Sequence, residues 1–166
     1  MKQITIKEDE NKFIFLNEDT EIIANENSKV NVVSFNDSLK IVGMLNGRNS
    51  EINCYSIFYG INQDEINIDV KAVHNNENTK SNLVCKGILN DKAKLNYLGK
   101  IRMEKNSKNS DGYQKQDTLL LSEEAIANSI PELEILENEV KCSHGVTISR
   151  INEDNLFYLK SRGLNE

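Results

Sequence analysis

Tryptophan is absent from this 166-residue chain, and proline occurs once, at Pro131. A core without indole rings has to be built from Ile, Leu and Val. A chain with almost no proline must turn on residues that tolerate the left-handed backbone region, and 24 asparagines are there to do so. No apolar run approaches the roughly 20 residues of a membrane span. The start, Met1-Lys2-Gln3-Ile4-Thr5-Ile6, lacks the apolar stretch of a secretion signal. Basic residues are outnumbered, 20 against 26 acidic, for a net charge of −6, so the basic stripe that nucleic-acid binding needs is missing. Three cysteines stand far apart, at Cys54, Cys85 and Cys142, and none forms a CxxC pair. That argues against a disulfide framework or a zinc ribbon and fits free thiols in a reducing cytoplasm. There is no phosphate-binding P-loop and no GxGxxG, which disfavours an ATPase or a dinucleotide enzyme.

What is there is short and frequent. Apolar segments rich in Ile and Val occupy 13–16, 30–35, 41–45, 52–59, 66–73, 83–89, 95–103, 118–121 and 133–136. Several alternate, as in Ile66-Asn67-Ile68-Asp69-Val70, which reads as a strand with one buried face. Asn, Asp or Gly separates them. The chain is therefore expected to be all-β, one domain over 1–166. Pattern alone leaves sandwich, barrel and solenoid open, and no sequence repeat is visible. The polar stretch 104–111 reads as a loop or one polar turn of a coil. Two helical pieces are expected: a short turn over 122–128 capped by Ser122, and a helix over 152–162. In the second, Asn152 caps, Glu153 and Asp154 favour the positive end, and Lys160 and Arg162 favour the negative end before Gly163.

Chemistry concentrates in Val140-Lys141-Cys142-Ser143-His144-Gly145. A thiol and an imidazole two residues apart share one side of an extended strand, and both suit iron or zinc. Glu134, Glu137 and Glu139 could add oxygen ligands. The competing reading is a buried, packing cysteine and a hydrogen-bonded histidine. A nucleophile–base pair is disfavoured, because about 6.6 Å separates the two backbones along a strand. His74 reads as a surface turn residue, and Cys54 and Cys85 as core.

The order of short words in the C-terminal half narrows this. Thr79-Lys80-Ser81 leads to Lys86-Gly87-Ile88-Leu89, then Gly99-Lys100-Ile101, Leu119-Leu120-Leu121-Ser122 and Pro131-Glu132-Leu133-Glu134-Ile135. Lys141-Cys142-Ser143-His144-Gly145, Leu156-Phe157-Tyr158-Leu159 and Ser161-Arg162-Gly163-Leu164 follow. From about Val73 to Leu164 this resembles the core of the SufB/SufD proteins of iron–sulfur cluster assembly, closer to SufD at the Cys-Ser-His-Gly word. Residues 1–72 match only in strand rhythm.

The resemblance implies a right-handed parallel β-helix with a short C-terminal helix, and a non-enzymatic role in cluster assembly. It implies pairing through the C-terminal strands, as a homodimer or with a SufB/SufD-like partner. Two Cys142 and two His144 would then offer four N and S ligands to iron or a labile cluster, with Glu134 nearby. The SufB scaffold cysteine aligns with Gln116, which cannot act as a thiolate. A SufC-like ATPase is implied as a partner of a C-terminal helical region, and the chain stops where that region would begin. The alternative is a β-helix interaction module that binds no iron.

Overall fold

A computed structural model describes residues 1–36 and 38–165, the Glu153 side chain excepted. Twelve strands precede one helix. They are β1 (Lys2–Ile6), β2 (Asn11–Leu16), β3 (Thr20–Ala24), β4 (Lys29–Phe35), β5 (Leu39–Leu45) and β6 (Glu51–Gly60). Then come β7 (Glu65–His74), β8 (Lys80–Leu89), β9 (Lys94–Met103), β10 (Asp111–Leu120), β11 (Ile126–Ile135), β12 (Lys141–Arg150) and α1 (Glu153–Ser161). Odd strands form one six-stranded sheet and even strands the other, every pairing parallel. The chain alternates between the sheets, so each coil adds one strand to both. This is a parallel β-solenoid with a short C-terminal helix, as the resemblance implies.

The coils lengthen along the chain. One inward column of the odd sheet runs Ile4, Ile22, Gly43, Ala72, Ile101, Leu133, in steps of 18, 21, 29, 29 and 32 residues. Strands grow from five residues to ten over the same distance. Between the sheets lies a core of Ile, Leu and Val with Phe58, Tyr97 and Met103. Each coil's inner face is apolar on alternate residues and can be buried only against its neighbours.

Asparagine makes the corners. Asp9, Asn27, Asn49, Asn78 and Asn109 recur once per coil with φ of 53–59°. Each donates its backbone N–H to a carbonyl one coil on: Asn27 to Arg48 at 2.9 Å, Asn49 to Glu77 at 3.3 Å, Asn78 to Lys108 at 2.8 Å, Asn109 to Glu139 at 2.7 Å. After each of the four asparagines the next residue is a buried Ser or Thr whose hydroxyl closes the corner, as Ser28 does on the Asn25 carbonyl and Ser50 on the Gly47 carbonyl, both at 2.7 Å. An Asn-Ser or Asn-Thr pair thus marks most of these corners and is the repeat that a fixed-period reading misses.

Two expectations change. His74 is fully buried, not a surface turn residue. Its ring nitrogens meet the hydroxyls of Thr79 and Ser81, each at 2.7 Å, so the histidine anchors a corner from inside. At 122–128 there is no helix. Ser122 accepts from the Ala125 N–H at 3.2 Å, as a cap would, but the chain enters β11 at Ile126. The 104–111 stretch is as expected, a polar turn after β9 that leads into β10 at Asp111. The helix at the end is α1, with the Asn152 side chain accepting from the Asn155 N–H at 2.7 Å, while the Glu153 side chain lies outside the described residues.

Candidate functional site at the open end

β11 and β12 are the last strands of their sheets, and each pairs on one side only. Among the described residues, the solenoid therefore leaves two unpaired edges and an uncovered inner face here. On β12 that face carries Cys142, His144, Val146 and Ile148, in register with the buried Gly112, Gln114, Gln116 and Thr118 of β10. Without a further coil above them, Val146 and Ile148 stay 40% and 43% exposed. Native edges of this kind are usually covered or paired.

Cys142 and His144 share this inner face, as the strand pattern implies. Cys142 is half-buried and packs against the core; His144 is exposed. Burial pushes the Cys142 thiol up to about 11, and the neighbouring Asp111 charge adds to the effect. At neutral pH it is a protonated thiol, and ligation would have to displace the proton. Among the described residues no three His, Cys, Asp or Glu side chains converge as a metal site. One chain brings two soft or borderline donors to the open end.

The carboxylates are engaged elsewhere. Glu134 pairs with Lys100 at 3.1 Å and Arg102 at 3.0 Å on the outer face of β11. The Lys100 hydrogen bond, with the Arg102 charge, holds its carboxyl below the usual range. Glu137 accepts from the Asn106 and Asn138 backbone N–H groups at 3.1 and 2.9 Å, and Glu139 lies 3.5 Å from Lys108. Cys54 and Cys85 are buried, with Cys54 pushed up to about 12 and Cys85 pushed up strongly, both by burial. Gln116 is also buried, between Cys85 on β8 and Val146 on β12.

Two residues stand out only in the structure. Tyr97 and Gln114 face the interior just below the open end, and neither reads as a site residue in the sequence. The available signal was Gln114-x-Gln116-x-Thr118, polar residues at alternate positions of a ten-residue strand whose inner face they occupy.

Comparison with known proteins places the chain in a family. The family model described as "SUF system FeS cluster assembly, SufBD core domain" matches residues 8–166. The match thus reaches well into the segment whose sequence suggested only strand rhythm. An iron-sulfur cluster assembly SufBD family protein of Porphyra purpurea is 34% identical over 122 residues, 74% of this chain and 25% of that protein. The iron-sulfur cluster assembly protein SufD of Escherichia coli is 33% identical over 122 residues, 74% of this chain and 29% of that protein. A SufBD family protein of Synechocystis is 38% identical over 92 residues, 55% of this chain and 20% of that protein. The chain spans about a quarter of the length of these relatives. The fold is a parallel β-solenoid, and the chain belongs to the SufBD core family.

Proposed function

We propose that this chain is a non-catalytic component of iron–sulfur cluster assembly, a scaffold or accessory domain spanning 1–166 for which iron or a labile cluster is cargo. The observation that carries this reading is the pair of donors, Cys142 and His144, on the uncovered inner face of an unpaired terminal strand. Family membership and similarity to iron–sulfur cluster assembly proteins support the pathway. A second copy meeting this end about a two-fold axis near residues 133–145 would double the donors to two thiols and two imidazoles. Four N and S ligands suit iron or a cluster. A SufB/SufD-like partner could supply the second pair instead. A SufC-like ATPase is a further partner suggested by the family, and the expected setting is cytoplasmic.

The iron is expected to be weakly held. The thiol is protonated at neutral pH, Gln116 stands where a scaffold thiol would be, and Glu134 is already neutralised by Lys100 and Arg102. These same facts favour the second reading, a β-helix interaction module that carries no iron. Anaerobic reconstitution separates the two. Wild-type protein should take up iron and absorb near 400–450 nm, with both lost in Cys142→Ser and His144→Ala. Equal iron in all three proteins, or none in any, overturns the cargo role and leaves the interaction module.

A further inference from the structure

The interior of the last coils holds polar side chains that lack partners, whereas the buried polar groups of earlier coils pair with one another, as Ser34 does with Ser56 and His74 with Thr79 and Ser81. Along one inward column the residues run Ile14, Val32, Cys54, Leu83, Gln114, His144. Among the described residues, five buried side-chain atoms have no hydrogen-bond partner, and four of them lie here: the Tyr97 hydroxyl, Gln114 Oε1, Gln116 Oε1 and Ser129 Oγ. The fifth, Asn82 Oδ1, belongs to β8. Tyr97 and Ser129 are register partners on β9 and β11, and Gln114 and Gln116 alternate along β10 in the facing sheet. Tyr97 is 3% exposed and each glutamine 1%.

Gly99 shows that the two sheets meet at this point. A Cβ there would fall 2.3 Å from Gln114 Oε1 and 2.5 Å from the Tyr97 hydroxyl. Both polar atoms therefore crowd the space that the glycine leaves open. The amide nitrogens are anchored already: Gln114 Nε2 donates to the Glu132 carbonyl at 3.4 Å, and Gln116 Nε2 donates to the Thr118 hydroxyl. Turning the Gln114 amide about would set its oxygen against that carbonyl, so the orphaned oxygen is not cured by a flip. Buried polar groups in native proteins are almost always satisfied, by protein or by ordered water.

The donor and acceptor inventory names the missing partner. Two amide oxygens need donors, and two hydroxyls can give or accept a proton. The orphaned atoms carry no charge, so a cation or an anion would be buried here without compensation. A small neutral group that both donates and accepts fits, and water has two of each. We propose that the interior between β9, β10 and β11 binds water, with at least one molecule bridging the Tyr97 hydroxyl and Gln114 Oε1 beneath Ser129. The polar column continues one coil on to His144, in register with Gln114, so this internal solvent lies under the imidazole of the open end. The inference is independent of iron.

Two measurements on the full chain test it. Water-to-protein cross-relaxation by NMR in the wild type should show contacts from long-lived water to the Tyr97 ring and the Gln114 side-chain amide, and a high-resolution crystal structure should show the ordered molecule. Tyr97→Phe should remove that signal and lower Tm by about 2–4 °C, since a satisfied hydroxyl is lost. A dry interior with the Tyr97 hydroxyl bonded directly to Gln114 overturns the proposal. So does a Tm that is unchanged or rises in Tyr97→Phe, because deleting a truly orphaned hydroxyl relieves its desolvation cost.

Discussion

Cys142 lies in register with Gly112, so its strand neighbour one coil inward has no side chain. Below Gly112 sit Met103 and Ile101, whose methyl groups would come within 2.7 and 2.9 Å of a Cβ at that position. The thiol is thus half-buried over an apolar floor, while Cys54 and Cys85 are closed off entirely. In native protein one thiol of three should react with a disulfide reagent, and all three in denaturant. With the thiol pushed up to about 11, the thiolate fraction at pH 7 is on the order of one in ten thousand, so the rate should climb about tenfold per pH unit up to that value. A fast, pH-independent reaction near pH 7 would contradict this account of Cys142.

Acid should find His74 before it finds the carboxylates. Burial lowers the folded imidazole from 6.5 to about 4. Between those values the unfolded chain binds the extra proton and the folded chain does not. The His74 contribution is therefore complete above about pH 6.5 and is lost as pH falls toward 4, to a total of about 3 kcal/mol. The ion-paired Glu51 and Glu134 act lower, since their folded values lie below the ordinary 4.5. Urea midpoints should fall between pH 6.5 and 5 in the wild type. His74→Gln should be weaker at pH 7.5 and flat across that window, and a wild-type slope retained in that variant would place the titration elsewhere.

Phe58 owes its place to Gly87. The two are register partners on β6 and β8, and a Cβ at Gly87 would sit 2.1 Å from the Phe58 carbonyl oxygen and 2.5 Å from its ring. Gly87→Ala must push strand or ring aside, at a cost of about 1–3 kcal/mol. Gly145→Ala is the control, with nothing nearer than the Tyr113 hydroxyl at 3.8 Å. Thermal melts should separate the two, by about 2–9 °C for Gly87→Ala and less than about 1 °C for Gly145→Ala.

The core was legible in the sequence wherever a strand alternated apolar with polar, as β7 does from Ile66 to Val73. β10 was legible only at its apolar end, because Gln114, Gln116 and Thr118 turn polar atoms inward and break the pattern that marks a buried face. The repeat was hidden by coils that lengthen from 18 to 32 residues, although Asn27-Ser28, Asn49-Ser50, Asn78-Thr79 and Asn109-Ser110 mark four successive corners. Residues beside asparagine look like surface turns, yet His74 is not one: a single step before the half-buried corner at Asn75, the strand carries it fully inside. Cys142 and His144 were legible as a pair on one strand face. That the face lies uncovered depends on which strands end the sheets, and order along a chain does not state that.

The uncovered end makes the sharpest prediction about assembly. β11 and β12 each offer a free row of backbone donors and acceptors, and Val146 and Ile148 stand 40% and 43% exposed on a face where the register partners Gln116 and Thr118 are buried. A second chain meeting this end would cover those side chains and extend both sheets. Light scattering at micromolar concentration should therefore give about twice the monomer mass of 18.9 kDa. Val146→Lys places a charge where the partner's apolar face would lie, while in a monomer its head reaches water readily. It should yield a monomer with an unchanged far-ultraviolet circular dichroism spectrum. Phe15→Ser is the matched control, since Phe15 is 77% exposed at the opposite end, on β2. It should leave the dimer intact. If wild type runs as a monomer across the micromolar range, self-pairing is wrong. If Phe15→Ser rather than Val146→Lys splits the dimer, the contact lies at the β2 end, and Cys142 and His144 do not meet their copies.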